Sequence, residues 1–419
     1  MTVIENGRVV TESEVLENCS VLIDKDRIAE LVPNGRPCRV HGGDTRLDAS
    51  GGYVMPGFVD IHSDYLESVA SPRPTALMDF GISVCETERM LMVHGITTMY
   101  HSLSLLKADM FSAKPVRNQD NVARMIGEII RARKKDHLIR NRLHLRFEID
   151  NIDKVEELRR YLQNGDVDLL SFMDHTPGQG QYRNLETYRK TIQGYKNISA
   201  AQADRLIRNN MHKELLTWDT IRELTKLAQS MGVAVASHDD DSPEKIRLIH
   251  DLGIGISEFP ITLQVAKKAK EMGLITVGGS PNILLGKSHS GNLSVTQAIL
   301  ENAIDVLCSD YYPAAMLLSV FQMAGRYGIP LADMVAMATL NPAKAVGADR
   351  EIGSIAPGKK ADILIVRKIG SVPYVASSII DGNVIFQSMY RCSNSAYDCE
   401  PGFAPPPPEG EGTNINSAS

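Results

Sequence analysis

The chain has 419 residues, 43% hydrophobic and 23% charged, with a formal net charge of −6 and a sequence pI near 6.0. That is a globular composition, long enough to bury a large core. No Lys/Arg-rich block is present, so nothing supports a nucleic-acid or membrane partner, whereas an anionic small molecule needs only a local cationic pocket or bound metal ions. Cys19, Cys38, Cys85, Cys308, Cys392 and Cys399 are scattered without a CxxC pair. This is the pattern of a reduced cytoplasmic protein, not of a disulfide framework or a Cys-rich zinc site. The opening MTVIENGRVV lacks the layout of a signal peptide, and no apolar run is long enough to span a bilayer.

In chain order, the first ~50 residues alternate apolar and polar, and VLIDKDRIAELV predicts strand, turn, strand. From Val54 short apolar runs alternate with amphipathic stretches: VMPGFVDIHSD, GITTMYHS, RLHLRFEID, DVDLLSFMDH, VAVASHDD, IGISEFPIT, LITVGGS and IDVLCSDYYP. Helical segments such as SPEKIRLIHDLG lie between them. Eight βα units in succession predict an α/β fold, a closed (β/α)8 TIM-type barrel over residues 54–349. After about residue 350 short strands return, ADILIVRK and ASSIIDGNVIFQ, and residues 1–53 and 350–390 are expected to pair into one small β-sandwich domain. The tail 391–419, with its PGFAPPPPEGEG, has the composition of a disordered segment.

In such a barrel the reactive groups sit at the C-terminal ends of the strands. Strand one ends with His62 and Asp64, strand three with Glu148, strand four with Asp174 and His175, strand five with His238 and Asp239, and strand eight with Asp310. A single His there is more often a hydrogen-bonded structural residue, and a single Asp a helix N-cap. Imidazole and carboxylate arriving from five strands at one mouth are instead what a hard-to-borderline divalent metal requires, and several carboxylates allow two ions.

The segment GGSPNILLGKSHSGN, 278–292, follows strand seven. Its small residues let backbone N–H groups approach a phosphate, with Lys287 as a point charge. Ser280, Asn282, Lys287, Ser288 and His289 are its candidate phosphate contacts, against the plainer alternative of a flexible barrel loop. Pro281 stands where a Walker A loop needs Gly. Most of HLIRNRLHLR is expected to be a solvated helix end leading into the strand RLHLRFEID, with Arg146 able to point into the mouth. Trp218 is expected in or near the core, and the Met residues of RMLMVHG on a buried helical stripe.

VMPGFVDIHSD resembles the first-strand signature of the amidohydrolase superfamily, and GSIAPGKKADILIV resembles the segment by which those enzymes return to their β-sandwich. Within it, IHSDYLE followed by PRP, HGITT, RLHLRFE, SFMDHTPGQGQY, ASHDDD, EFPIT, SPNILLGKSHSGN and SDYYPAAML resemble the diphosphatase family of the carbon–phosphorus lyase pathway, over about residues 1–390. The resemblance implies release of pyrophosphate from a phosphorylated ribose, α-D-ribose 1-methylphosphonate 5-triphosphate, to give the 5-phosphate. Asp64 stands where most amidohydrolases have a second His, and Glu258 where many have a metal-binding His; the diphosphatase family shares both departures.

Residue chemistry then suggests one or two divalent ions (Zn, Mn or Fe) held by His62, Asp64, Glu148, His175, His238 and Asp310. Asp310 would orient the attacking water or take its proton, and Arg146 and the 278–292 loop would bind phosphate. One rival is an amidohydrolase acting on a C–N bond, such as a deacetylase or cyclic amidase; the cationic loop and the absent strand-six His count against it. A second is a non-catalytic interaction protein on the same fold, which ought to have lost ligands. A homo-oligomer is compatible with the sequence but not indicated by it.

Overall fold

The computed structural model describes residues 1–33, 43–73, 75–107, 115–134, 137–180, 185–196, 198–211, 213–286 and 292–388. The expected tail, and Lys287, Ser288 and His289, lie outside the described residues.

Strands are numbered along the chain. The N-terminal segment supplies β1 (Thr2–Val10), β2 (Val15–Asp24), β3 (Arg27–Val32), β4 (Thr45–Asp48) and β5 (Tyr53–Pro56). The next eight, all parallel, are β6 (Phe58–Ser63), β7 (Ile96–Leu105), β8 (Arg140–Glu148), β9 (Leu169–Met173), β10 (Ala234–His238), β11 (Ile256–Glu258), β12 (Ile275–Gly279) and β13 (Val306–Cys308). The C-terminal segment adds β14 (Ile363–Ile369), β15 (Val372–Ile380) and β16 (Asn383–Gln387).

The two terminal segments share a separate mixed sheet ordered β16-β15-β14-β5-β1-β2-β3, with β4 also paired to β1. Its buried side is built from Ile4, Val9, Val21, Ile23, Val54, Ile363, Ile365 and Ile379. The run VMPGFVDIHSD divides between the two sheets: Val54 to Pro56 pair with β14, and the barrel starts after Gly57. A Cβ on Gly57 would lie 2.3 Å from the Thr97 side chain, so the crossing admits no larger residue.

The second sheet runs β6 to β13 in sequence order. All ten residues of β7 are buried, as expected for parallel strands covered on both faces. Outward residues such as Leu143, Leu145, Phe147, Leu170 and Phe172 pack under the helices. Those helices have clear stop-start chemistry. Helix Pro243–Asp251 has Pro at its start, the Ser242 side chain accepting from Lys245 N, and Ile246 and Ile249 buried on one side. The ring closes between β6 and the end of β13: Asp310 N donates to His62 O (3.0 Å) and Asp64 N donates to Asp310 O (2.9 Å).

Inward residues form layers. Val59, Ile61, Tyr100, Leu169, Ala236, Ile256, Val277 and Val306 fill the lower barrel. Two residues beyond Tyr100 and Leu169, Ser102 and Ser171 flank His144 of β8 in a polar layer: His144 Nδ1 lies 3.0 Å from Ser102 Oγ and its Nε2 2.9 Å from Ser171 Oγ. A register break between Asp60 and Ser63 lets Val59, Ile61 and then His62 all serve the interior.

Three expectations need correction. HLIRNRLHLR contains no helix end at Arg140: the strand expected from Arg142 already begins there, as Arg140–Glu148, with His144 fully buried. Trp218 is 44% exposed, at the start of helix Trp218–Ser230, because Ile221, Leu224, Thr225 and Ala228 form that helix's buried side. Of the RMLMVHG methionines, Met92 is buried and Met90 exposed, being two residues apart on a helix. Among the described residues no helix is long and apolar enough to cross a membrane.

Candidate active site

A cavity of about 230 Å³ opens at the C-terminal ends of the barrel strands. His62, Asp64, Arg146, His175, His238 and Asp310, all singled out in the sequence, line it together. Three of the residues rimming it, Asp239, Phe259 and Asp310, have positive φ (54°, 54° and 58°). Non-glycine residues adopt that region at a cost of about 1–3 kcal/mol, which the surrounding structure must hold in place.

The centre of the site is Glu258, at the end of β11 and 0% exposed. Its Oε1 lies 3.0 Å from His62 Nδ1 and its Oε2 3.3 Å from His238 Nδ1. The two imidazoles stack, with ring centroids 5.3 Å apart and planes 15° from parallel. Arg146, from β8, donates from Nη2 to His238 Nε2 at 3.1 Å. Burial, helped by Arg146, holds His62 and His238 well below the ordinary histidine range, so both are neutral. Burial alone would raise the Glu258 carboxyl, but its imidazole neighbours and Arg146 outweigh that and leave it lowered.

Glu148, one of the expected ligands, holds His175 in place. Its Oε1 accepts from His175 N (2.7 Å), and its Oε2 lies 2.7 Å from His175 Nδ1. Each oxygen thus uses one lone pair to position His175. Burial opposes protonation of His175, but the Glu148 charge prevails and its pKa is raised. Ser280 also departs from expectation, being fully buried in the short helix Ser280–Leu285 and absent from the cavity wall. Asn282 does line the cavity, yet its Nδ2 donates to Leu293 O (3.0 Å) and its Oδ1 accepts from Val295 N (2.9 Å), which pins the returning chain.

Arg117 joins the site without having been singled out. It lines the cavity, donating from Nε to Glu67 Oε2 (2.7 Å) and from Nη2 to Asp64 Oδ2 (3.3 Å). It stands 53 residues beyond Asp64, so no local pattern announced it.

The residues suit a divalent cation. Asp239 Oδ2 is buried without a hydrogen-bond partner. Burial pushes Asp239 up to about 7, against the pull of His175 and Arg146; burial and the nearby Asp64 push Asp310 up to about 8. Carboxylates crowded this way ionise together only beside a compensating positive charge. His62, His144 and Glu258 also place donor atoms within 4.8 Å of one another. Both ring nitrogens of His144 are already engaged by serine hydroxyls, which favours the donors nearer the cavity. Imidazole with carboxylate, and no thiolate, matches Zn²⁺, Mn²⁺ or Fe²⁺.

Parallel barrel, separate mixed sheet from both termini and a His/Asp cluster at the strand ends together describe a hydrolase of the amidohydrolase kind. Residues 172–385 match the model of the amidohydrolase family, and the chain belongs to that family. Over 376 residues it is 30% identical to the α-D-ribose 1-methylphosphonate 5-triphosphate diphosphatase of Escherichia coli (strain K12), covering 87% of this chain and 95% of that protein. An adenine deaminase of Clostridium botulinum (strain 657 / Type Ba4) is 22% identical over 411 residues, and the match covers 91% of this chain and 57% of the deaminase. Among solved structures, N-acetylglucosamine-6-phosphate deacetylase from Pasteurella multocida superposes with a TM-score of 0.60 at 13% identity, covering 91% of this chain and 99% of that one. The molinate hydrolase structure gives a TM-score of 0.63 at 14% identity, covering 94% and 98%. These likenesses show the shared fold.

Proposed function

We propose that this chain hydrolyses α-D-ribose 1-methylphosphonate 5-triphosphate to the 5-phosphate and pyrophosphate, a metal-dependent step in phosphonate catabolism. The observation that carries this is the 30% identity spanning 95% of the diphosphatase. Two guanidinium groups at the cavity, Arg117 and Arg146, support a substrate rich in phosphate oxygens.

His62, Asp64, His175, His238 and Asp310 would hold one or two divalent ions. When bound, such an ion acidifies a water toward neutral pH and polarises a phosphoryl oxygen. Asp310 orients the attacking water and takes its proton. Water oxygen bonds to the α-phosphorus, the bridge to the β-phosphate breaks, and pyrophosphate leaves with the bonding pair. Arg146 offsets the charge that develops on the α-phosphoryl oxygens. Lys287, Ser288 and His289 remain the candidates for the β- and γ-phosphates. We take the cytoplasm as the compartment, since Cys19, Cys85 and Cys308 are free thiols.

The second reading, a C–N hydrolase, draws on the likeness to deaminases. Metal-loaded protein offered the ribose triphosphate, adenine and N-acetylglucosamine 6-phosphate separates the two. Pyrophosphate from the first alone is the expected result; ammonia or acetate at a comparable kcat/KM, with no pyrophosphate, would overturn it.

A further inference from the structure

We infer that Glu258 is a positioning residue that fixes both cavity histidines, His62 and His238, in the Nδ1-protonated form, so that each Nε2 keeps its lone pair for a metal ion, which at His238 would take the place of the Arg146 Nη2 donor. The inference rests on the cavity holding a divalent ion and is independent of the substrate.

The hydrogen bonds set the protons. Arg146 has only N–H donors, so His238 Nε2, 3.1 Å from its Nη2, must be the acceptor of that bond. A neutral imidazole with a bare Nε2 carries its hydrogen on Nδ1, the atom 3.3 Å from Glu258 Oε2. Glu258 Oε1 does the same for His62 Nδ1 at 3.0 Å. One carboxylate thus holds two rings from two strands, one oxygen each. The near-parallel stack of the rings, 15° apart, follows from that shared anchor.

The support beneath it is equally fixed. His144 Nε2 lies 3.7 Å from Glu258 Oε1 and is itself held between Ser102 and Ser171. Phe259, the next residue, packs edge-on against both rings, with centroids 4.8 Å from His62 and 5.2 Å from His238. A carboxylate that accepts the second ring N–H of a metal-binding histidine sets its tautomer and raises its basicity, and losing it typically weakens metal binding by about 10–100-fold. Here one residue would serve two ligands, so a single substitution reaches both.

The experiment uses full-length protein with zinc as the probe. Long-range proton–nitrogen NMR of the metal-free native protein, with signals assigned by their loss in His62→Gln and His238→Gln, should show both rings protonated at Nδ1. Finding either ring protonated at Nε2 overturns the inference, and this measurement needs no variant of Glu258 to fold. In Glu258→Gln, whose single amide oxygen can accept from one ring only, at least one ring should shift to the Nε2-protonated form. Zinc affinity, measured by competition with a chelator, should fall about 10–100-fold. X-ray absorption at saturating zinc should show the same number of nitrogen and oxygen donors in both proteins. Unchanged affinity, or loss of one oxygen donor (which would make Glu258 a direct ligand), overturns it. Failure of the native protein itself to bind zinc, manganese or iron would instead remove the metal site on which the inference stands.

Discussion

Removing the metal with a chelator should make the protein lose thermal stability as the pH rises from 7.5 to 8.5. Burial is the main cause lifting Asp310 to about 8 and Asp239 to about 7, from an ordinary 3.8. A carboxyl group raised in this way keeps its proton in the folded chain after the unfolded chain has lost it. Its contribution is therefore complete below the unfolded pKa and disappears as pH climbs through the folded one. The buried histidines act with the opposite sign. Burial lowers His62, His94, His101, His144 and His238, so their contribution grows as pH rises through the ordinary 6.5 and is nearly complete above about 7.5. The window from 7.5 to 8.5 thus isolates the carboxyl groups, with His175, whose pKa is raised, acting in the same direction. Titrating across that unit, Asp310 loses about 0.7 kcal/mol and Asp239 about 0.1 kcal/mol. With an unfolding entropy of about 2.1 cal/mol/K per residue over 419 residues, about 1 kcal/mol lowers the melting midpoint by roughly 1 °C. Scanning calorimetry of chelated protein at the two pH values measures it. Saturating zinc should abolish the drop, and Asp310→Asn should remove most of it. A chelated midpoint that is equal or higher at pH 8.5 would refute the reasoning.

Three further outcomes follow from the geometry. Arg146→Met should lower kcat/KM on the ribose triphosphate by about 10–150-fold, the loss of a charge-assisted hydrogen bond of roughly 1.5–3 kcal/mol, and steady-state kinetics with saturating metal reads it. Asp310→Asn should cut turnover by roughly 10²–10⁴-fold with little change in substrate binding, so near-native turnover excludes it as the proton acceptor. Arg140, on β8, binds Asp362 and Asp381 of the mixed sheet, and Arg140→Ala would strand the buried Asp362; a cost of about 3–5 kcal/mol should appear as a lower melting midpoint, with kcat of the folded protein unchanged.

The barrel was legible because each parallel strand, covered on both faces, is a short apolar run set off by amphipathic helices. All eight runs became strands, and the terminal segments joined in one sheet as their alternation suggested. The cavity residues His62, Asp64, His175, His238 and Asp310 were legible from their place at strand ends. His144 was not, although the signal was present: Leu143, Leu145 and Phe147 face the helices, so Arg146 and Glu148 imply His144 inward by the period of two. Its charged neighbours Arg140 and Arg142 made the approach to that strand look solvated. The role of Glu258 depends on His62 and His238 reaching it from strands far away in sequence, which no spacing encodes. Ser280 misled because GGSPN reads as a loop, whereas helix Ser280–Leu285 begins there and buries it.

The most direct test is phosphorus NMR of metal-loaded protein acting on α-D-ribose 1-methylphosphonate 5-triphosphate in ¹⁸O-enriched water. Equal amounts of pyrophosphate and ribose 1-methylphosphonate 5-phosphate should appear, with the heavy oxygen on the 5-phosphate, as attack at the α-phosphorus requires. An unchanged substrate, orthophosphate released stepwise from the γ-position, or label carried by the pyrophosphate would contradict the proposed diphosphatase chemistry.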